Sequence, residues 1–313
     1  MPHRQPVATA SEGARSAPER PRVAIVGAGG LGGPAALGLV AQGLAVRLID
    51  DDRVELSNLQ RQVLFTTRDL GVSKVEVAAS ALRARHPLAD VETRAARVAT
   101  DAEADALLDG CALAIDATDD PGARFRINDW ALRHRRWAVI GGLARFSGLV
   151  VPVGPGFGPC FRCLFEADDL AVAPTCGQLG VIGALAGLVG HLQAALAAEL
   201  LQGSGLRHLG HGVAVDALAG RIRRFPLPEA SACSACGGLA AHVDVRADRC
   251  PFTWIRTRLQ LELLPAGATL AVTLGAGEPA RNVAANLHAE GHAVLAEGPG
   301  LPGVHHIFAR KAG

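Results

Sequence analysis

A short apolar run over residues 22–26 stops at Gly27. Six residues, Gly27-Ala28-Gly29-Gly30-Leu31-Gly32, then lead into a helical pattern that reaches residue 42. No other feature limits the fold of this chain as much. The run reads as a buried parallel strand. Small residues after it let the backbone approach phosphates, and the N-terminus of the following helix attracts negative charge. A second strand over residues 45–50 ends at Asp50. A carboxylate at that place accepts hydrogen bonds from ribose hydroxyls. Gly27, Gly29, Gly30, Gly32 and Asp50 are therefore candidate nucleotide contacts. The motif by itself does not choose between NAD and ATP.

The pattern continues with a helix over 73–85, strands at 91–98, 112–118 and 137–141, and helices at 101–109 and 121–136. This alternation predicts an α/β domain, Rossmann-like, with a mostly parallel sheet and helices on both faces. Later strands at 147–153 and within 213–225 are expected to be partly antiparallel, with a long helix over 178–202 between them. From residue 242 a shorter unit begins: strand (242–246), helix (251–264), strand (269–274), helix (278–290), then strands at 293–296 and 304–309. A βαβαββ unit of this kind makes a small two-layer α/β sandwich. The expected division is a loose segment at 1–21, a nucleotide-binding domain at 22–238 and a small domain at 241–313. A chain of 313 residues suits one large domain and one small one.

The loop after Asp50 bears on the choice of nucleotide. Ser57-Asn58-Leu59-Gln60-Arg61-Gln62 is polar and carries a permanently charged arginine, and Lys74 follows. A triphosphate needs several donors and cations, whereas backbone cradles most of a dinucleotide pyrophosphate. Asp119 sits just past a strand end, where ligands of open α/β sheets lie. It can hold Mg²⁺ against phosphate oxygens, or it can cap the next helix. For Arg61 and Lys74 the competing reading is a solvated surface pair.

Seven cysteines are present. Cys160-Phe161-Arg162-Cys163 and Cys233-Ser234-Ala235-Cys236 supply the four thiolates of a closed tetrahedral zinc site, with redox chemistry as the competing reading. Cys176 precedes the long helix and is a candidate nucleophile, or a plain loop residue. Pro251 suits the first position of a helix, which puts Cys250 at its N-cap with sulfur near free N–H groups. That favours a persulfide carrier over a structural cysteine. Cys111 reads as core. His191, His305 and His306 read as structural.

Charge excludes one class of function. Lysine plus arginine number 31 against 30 aspartates and glutamates, a net charge of +1. Nucleic-acid binding driven by bulk charge is therefore not expected. The start shows no apolar segment of signal-peptide length, and the apolar stretch at 179–190 is too short to span a bilayer. A cytoplasmic protein without membrane attachment is the expectation.

Taken together, the glycine hexapeptide, Asp50, residues 57–62, Lys74, Thr118-Asp119 and the paired Cys-x-x-Cys motifs resemble the sulfur-carrier adenylyltransferases of molybdopterin and thiamine biosynthesis (MoeB/ThiF/HesA type), relatives of ubiquitin-activating enzymes. The resemblance covers about residues 22–238. It implies that Asp50 binds ribose, that Asn58, Arg61 and Lys74 handle the triphosphate of ATP, that Asp119 coordinates Mg²⁺, and that the four cysteines hold Zn²⁺. Two departures stand out. Asp120 replaces the usual Asn, and Arg4-Gln5 only weakly resembles the pair that relatives insert into a partner's ATP site. In relatives the loop of Cys176 carries a cysteine that is covalent in some members only. Residues 241–313 resemble small sulfur-relay proteins of the TusA type, with Cys250-Pro251 at their active-site entry and Thr253 where many have a second proline. Loss of that proline is expected to loosen the sulfur geometry.

The resemblance implies ATP-dependent adenylation of a ubiquitin-like sulfur carrier ending in Gly-Gly. Sulfur transfer to a thiocarboxylate follows, with Cys250 as persulfide carrier, an upstream donor such as a cysteine desulfurase, and a homodimer. The chain ends in Lys311-Ala312-Gly313, so it is not expected to be its own carrier. Three alternatives stay open at this level. They are adenylation of another peptide C-terminus with the small domain as a docking module, an NAD-dependent oxidoreductase, and a non-enzymatic zinc-stabilised nucleotide sensor.

Overall fold

The computed structural model describes residues 21–155, 158–165, 180–203, 205–228, 233–299 and 302–313. Five strands form the parallel part of a large sheet: β1 (Arg22–Val26), β2 (Ala45–Ile49), β3 (Val91–Arg94), β4 (Leu113–Asp116) and β5 (Trp137–Ala144). Three more, β6 (Ser147–Val153), β7 (His211–Asp216) and β8 (Arg221–Pro226), continue it antiparallel. The order is β3-β2-β1-β4-β5-β6-β7-β8. β1, β4 and much of β2 are apolar on both faces, which only a doubly covered sheet tolerates.

One face is covered by α1 (Gly32–Ala41), α2 (Lys74–Arg85) and α5 (Gly183–Leu201). The other is covered by α3 (Asp101–Leu108) and α4 (Pro121–Arg133). α5 has 19 residues, longer than the apolar stretch visible in the sequence, and it is long and apolar enough to cross a membrane by composition alone. Its burial belongs to the core instead. A β-carbon on Gly190 would come within 2.3 Å of the Leu31 carbonyl oxygen, so the helix lies directly on the start of α1. The buried Gln193 of α5 donates from Nε2 to the carbonyls of Asp116 (2.6 Å) and Val139 (3.3 Å), tying it to the strand ends of β4 and β5.

The C-terminal unit contains β9 (Ala241–Asp244), α6 (Phe252–Glu262), β10 (Thr269–Gly275), α7 (Glu278–Ala289), β11 (Ala293–Pro299) and β12 (Val304–Arg310). Its sheet order is β11-β12-β10-β9, with β9 parallel to β10 and the other pairs antiparallel. Alternation along the strands sends Val243, Leu270, Val272 and Ile307 into a core beneath α6 and α7. The opposite face carries Ala271 and Phe308, which pack with Leu206, Leu209 and Leu239. Trp137, the first residue of β5, joins that cluster.

Most sequence-predicted elements are present with shifted ends. α1 begins at Gly32 and not at Gly27, because Gly27 takes φ +93°, outside the helical region. β3 stops at Arg94, four residues short of the expected end.

A candidate site at the strand ends and a four-thiol cluster

At the carboxyl edge of the parallel strands lies a cavity of about 230 Å³. Gly27, Gly29 and Gly30 of the turn, Asp50, Asn58, Arg61, Lys74 and Asp119 all line it, so the structure brings together candidates that lie far apart in sequence; Gly32 does not line it and packs against the Gly27 carbonyl instead. The turn is close-packed because its residues are small. A β-carbon on Gly32 would sit 1.7 Å from the Gly27 carbonyl oxygen, and one on Gly27 would sit 2.6 Å from that of Ala117.

Asp50 is held by its own backbone surroundings. Its carboxylate accepts the N–H of Ala28 (2.7 Å) and of Asp52 (2.8 Å). Burial pushes its pKa above the ordinary carboxylate range, with the Lys74 charge and the two amides pulling the other way. Lys74 is only 5% exposed, which rules out a solvated surface pair, and its Nζ donates to Asp52 at 2.7 Å. Arg61 donates from Nη2 to the Asn58 side-chain oxygen at 2.6 Å.

Two cavity residues escaped the sequence reading. Gln62 is 4% exposed, and its Oε1 has no partner among the described residues. Arg97 reaches back from beyond β3 to Asp51 at 3.1 Å. Its place after a strand end was the available signal, since ligands gather at the carboxyl ends of open α/β sheets.

The two readings of Asp119 separate cleanly. Asp120, and not Asp119, caps α4 by accepting the Gly122 N–H at 2.8 Å. Asp51 and Asp52 pair with Arg97 and Lys74, and Asp50 holds amides. Among the acids of the cavity, Asp119 alone has neither hydrogen bond nor ion pair within the described residues. A carboxylate oxygen free to ligate is what Mg²⁺ requires, so Asp119 fits that ion. The Asp50–Asp52 triplet could also gather around a cation. Its members already hold other partners, which makes it the poorer donor set.

Behind the cavity Asp116 is completely buried and pairs with Arg124 at 2.7 Å. Arg124 also donates to the Thr118 carbonyl at 2.9 Å, which fixes the turn that presents Asp119.

The sulfur atoms of Cys160, Cys163, Cys233 and Cys236 all lie within 4.8 Å of one another. Four sulfurs at about 2.3 Å from a tetrahedral zinc ion stand at comparable separations, so the donor set fits Zn²⁺. Backbone amides support it: Cys160 N–H donates to Cys163 Sγ (3.4 Å) and Gly238 N–H to Cys236 Sγ (3.2 Å). Hydrogen bonds from Cys160 and Cys236 draw the Cys163 thiol well below its ordinary range. α4 anchors the first pair. Asn128 Oδ1 accepts the Phe161 N–H at 2.9 Å, and Asp129 binds Arg162 through both oxygens at 2.8 and 2.6 Å.

Cys250 is exposed in the C-terminal unit. The N-cap of α6 is Pro251, which corrects the expectation that Cys250 would occupy it. The φ of a proline suits a cap as well as a first turn, and that shifts the register by one residue. Thr253 does not leave the sulfur loose. It is 1% exposed, and its Oγ1 lies 3.6 Å from Cys250 Sγ, while Asn282 Nδ2 approaches the same sulfur at 3.7 Å. Cys176 and Arg4 lie outside the described residues. Cys111 is buried, as expected of a core residue.

Residues 4–236 match the ThiF family, and residues 241–311 match Sulfurtransferase TusA. A sulfur carrier protein adenylyltransferase of Thermus thermophilus is 39% identical over 226 residues, covering 70% of this chain and 83% of that protein. A SAMP-activating enzyme E1 of Haloferax volcanii is 38% identical over 218 residues, covering 69% and 80%. An adenylyltransferase and sulfurtransferase MOCS3 of Anopheles gambiae is 35% identical over 217 residues; the match covers 68% of this chain and 49% of that longer protein. Among solved structures, E. coli MccB with ATP superposes with a TM-score of 0.61 at 22% identity, over 69% of this chain and 67% of that one. At that identity the likeness concerns the fold alone.

Proposed function

The chain belongs to the ThiF family, and from that premise we propose that it uses ATP to adenylate the C-terminal Gly-Gly carboxylate of a small ubiquitin-like sulfur carrier, and then takes part in converting that carboxylate to a thiocarboxylate. One observation carries the first half. Asp50, Asn58, Arg61, Lys74 and Asp119 converge on a single cavity with the glycine turn. An NAD-dependent oxidoreductase has no use for Arg61 and Lys74 in that cavity.

In this reading the glycine turn and the N-terminus of α1 receive phosphate oxygens, and Asp50 receives the ribose. Arg61 and Lys74 hold the triphosphate. To do so they exchange their present partners, Asn58 and Asp52, for phosphate oxygens. Asp119 would hold Mg²⁺, which when bound offsets phosphate charge. A carrier carboxylate oxygen attacks the α-phosphorus, and pyrophosphate leaves with the P–O bond electrons.

Cys250 is proposed to carry the sulfur. Its persulfide attacks the acyl carbon of the adenylate, and AMP departs, leaving an acyl disulfide. A second thiol then attacks the Cys250 sulfur and frees the thiocarboxylate. Cys176 is the candidate for that thiol, and an external thiol would reduce the resulting disulfide. The four cysteines would hold zinc as a structural staple without entering the reaction. A cysteine desulfurase is the proposed source of the persulfide, a homodimer the proposed assembly and the cytoplasm the proposed compartment.

ATP–pyrophosphate exchange with a panel of Gly-Gly carriers tests this. Exchange that requires a carrier, is lost in Asp119→Ala and survives in Cys250→Ala supports adenylation in the large unit and sulfur chemistry in the small one. Binding of NADH with no binding of ATP overturns it.

A further inference from the structure

A second cavity, of about 720 Å³, opens between the large sheet and the bare face of the small one. Its floor is apolar, built from Leu206, Leu209, Leu239 and Phe308. Arg207, His211 and Arg224 rise from one side, and His242, Thr273 and His306 from the other. The volume is that of a pocket for an organic ligand and exceeds what a bare phosphate needs.

The charges in this cavity are not balanced. Arg207 is paired with Glu199 at 2.8 Å, and Arg246 is paired with the lining Asp244. Arg224 has no acid partner among the described residues. It donates to the Arg207 carbonyl and lies 3.0 Å from His211 Nδ1, both neutral groups. Burial, then nearby positive charge, lowers the pKa of Arg224 and of His211, and the pKa of His306 falls to about 4. An anion placed here would relieve all three.

The walls also suit a peptide. β8 and β9 both line the cavity, through Arg224 and Pro226 on one and His242 and Asp244 on the other. The lining positions alternate along β9, β10 and β12, so one face of the small sheet walls the cavity across three neighbouring strands, a width of about 10 Å that accommodates a few residues of extended chain. Arg246, at the rim, precedes Cys250 by four residues, so their Cα atoms are at most about 14 Å apart.

We propose that this cavity is a second docking site for a peptide tail ending in a free carboxylate, with Arg224 receiving the carboxylate and the apolar floor receiving the residues before it. The choice of a carrier tail as ligand rests on the function proposed above. The site itself is separate from the nucleotide cavity.

The test is calorimetric titration of the full chain, without ATP, using a short peptide ending in Gly-Gly, its C-terminal amide and inorganic phosphate. The free acid is expected to bind, and the amide at least tenfold more weakly. Arg224→Gln should weaken the acid at least tenfold, with Arg224→Lys restoring part of the loss. Arg61→Gln, in the other cavity, should leave this binding within twofold. Equal binding of acid and amide, or no effect of Arg224→Gln, overturns the site. Phosphate binding as tight as the peptide and dependent on Arg224 reassigns it to small oxyanions and overturns the peptide proposal. A chain that performs carrier-dependent exchange but fails this titration loses the second dock and keeps the adenylation function. A chain that binds the peptide but shows no exchange keeps the dock and loses that function.

Discussion

Asp119 and Asp120 are adjacent carboxylates with opposite duties. Asp120 spends its oxygen on the amide of Gly122, and Asp119 keeps its own free. Asp120→Ala should therefore lower stability by about 1 kcal/mol, the usual worth of a helix cap, read from urea denaturation. Asp119→Ala should leave the urea midpoint unchanged while reducing ATP–pyrophosphate exchange by about 100-fold or more. A fall in stability equal to that of Asp120→Ala would show that Asp119 is also a structural residue.

Asp50 supplies a pH test with two opposite signs. Its folded pKa lies above the unfolded one, because burial outweighs Lys74 and the two amides. The folded chain then holds this proton more tightly than the unfolded chain, so Asp50 adds stability as pH falls through the folded value and withdraws it as pH rises. Nucleotide affinity should move the other way, since the protonated acid accepts hydrogen bonds poorly. ATP titrations between about pH 4 and 7 should show an acid-side loss that begins above the usual aspartate range. That component should vanish in Asp50→Asn. Its persistence there would assign it to another group.

The residues legible in the sequence were those whose place follows from local rules. A glycine turn after a strand, and an acid at the end of the next strand, are set by a few neighbouring positions. Arg97 meets Asp51 from 46 positions away, and Gln62 is buried with its Oε1 unpartnered among the described residues, so neither role follows from neighbouring positions; the Asp116–Arg124 pair spans only eight residues but depends on how α4 folds back on the end of β4. His306 was read as structural and proves to line a cavity. Nothing in the sequence near it predicts that His242, Thr273 and Arg224 gather there.

At the scale of elements, order and type followed from periodicity, and ends did not. α6 shows why. A proline serves a cap and a first turn alike, so the sequence could not place Cys250 to within one residue. The approach to the first cysteine pair, two residues before Cys160, is more tightly specified. A β-carbon on Gly158 would stand 2.3 Å from Cys236 Sγ and 3.0 Å from the Gly238 backbone. Neither neighbour can move without displacing the Cys236 sulfur or its supporting amide. Gly158→Ala should therefore reduce bound zinc by several-fold in metal analysis of the purified chain, with a lowered melting temperature. Unchanged metal content would mean that the knuckle relaxes around the methyl group.

For the whole molecule, β5 is a ruler. Leu143 near one end lines the nucleotide cavity, and Trp137 at the other end packs against the C-terminal unit. Six residues of strand separate them by about 20 Å. The first cavity and the small sheet thus lie at opposite edges of the large sheet. If the four thiols hold zinc as proposed, removing it with a chelator should disturb the second edge more than the first. Amide exchange should quicken across residues 237–245, while ATP affinity changes less than tenfold. Equal effects on both edges would mean that the four thiols support the entire large unit.

Only five steps of chain lead from Cys236 to Ala241, the first residue of β9, a reach of at most about 17 Å. Cys236 is then a pivot, and the C-terminal unit is an arm mounted on it. If that unit leaves its seat it cannot wander; the tether keeps it beside Cys236, and Cys250 stays within a bounded reach. A carrier tail inside that reach can be met, and one beyond it is never met. The length of five peptide bonds would then set which acyl-adenylates, on the same chain or on a second copy, the sulfur can reach.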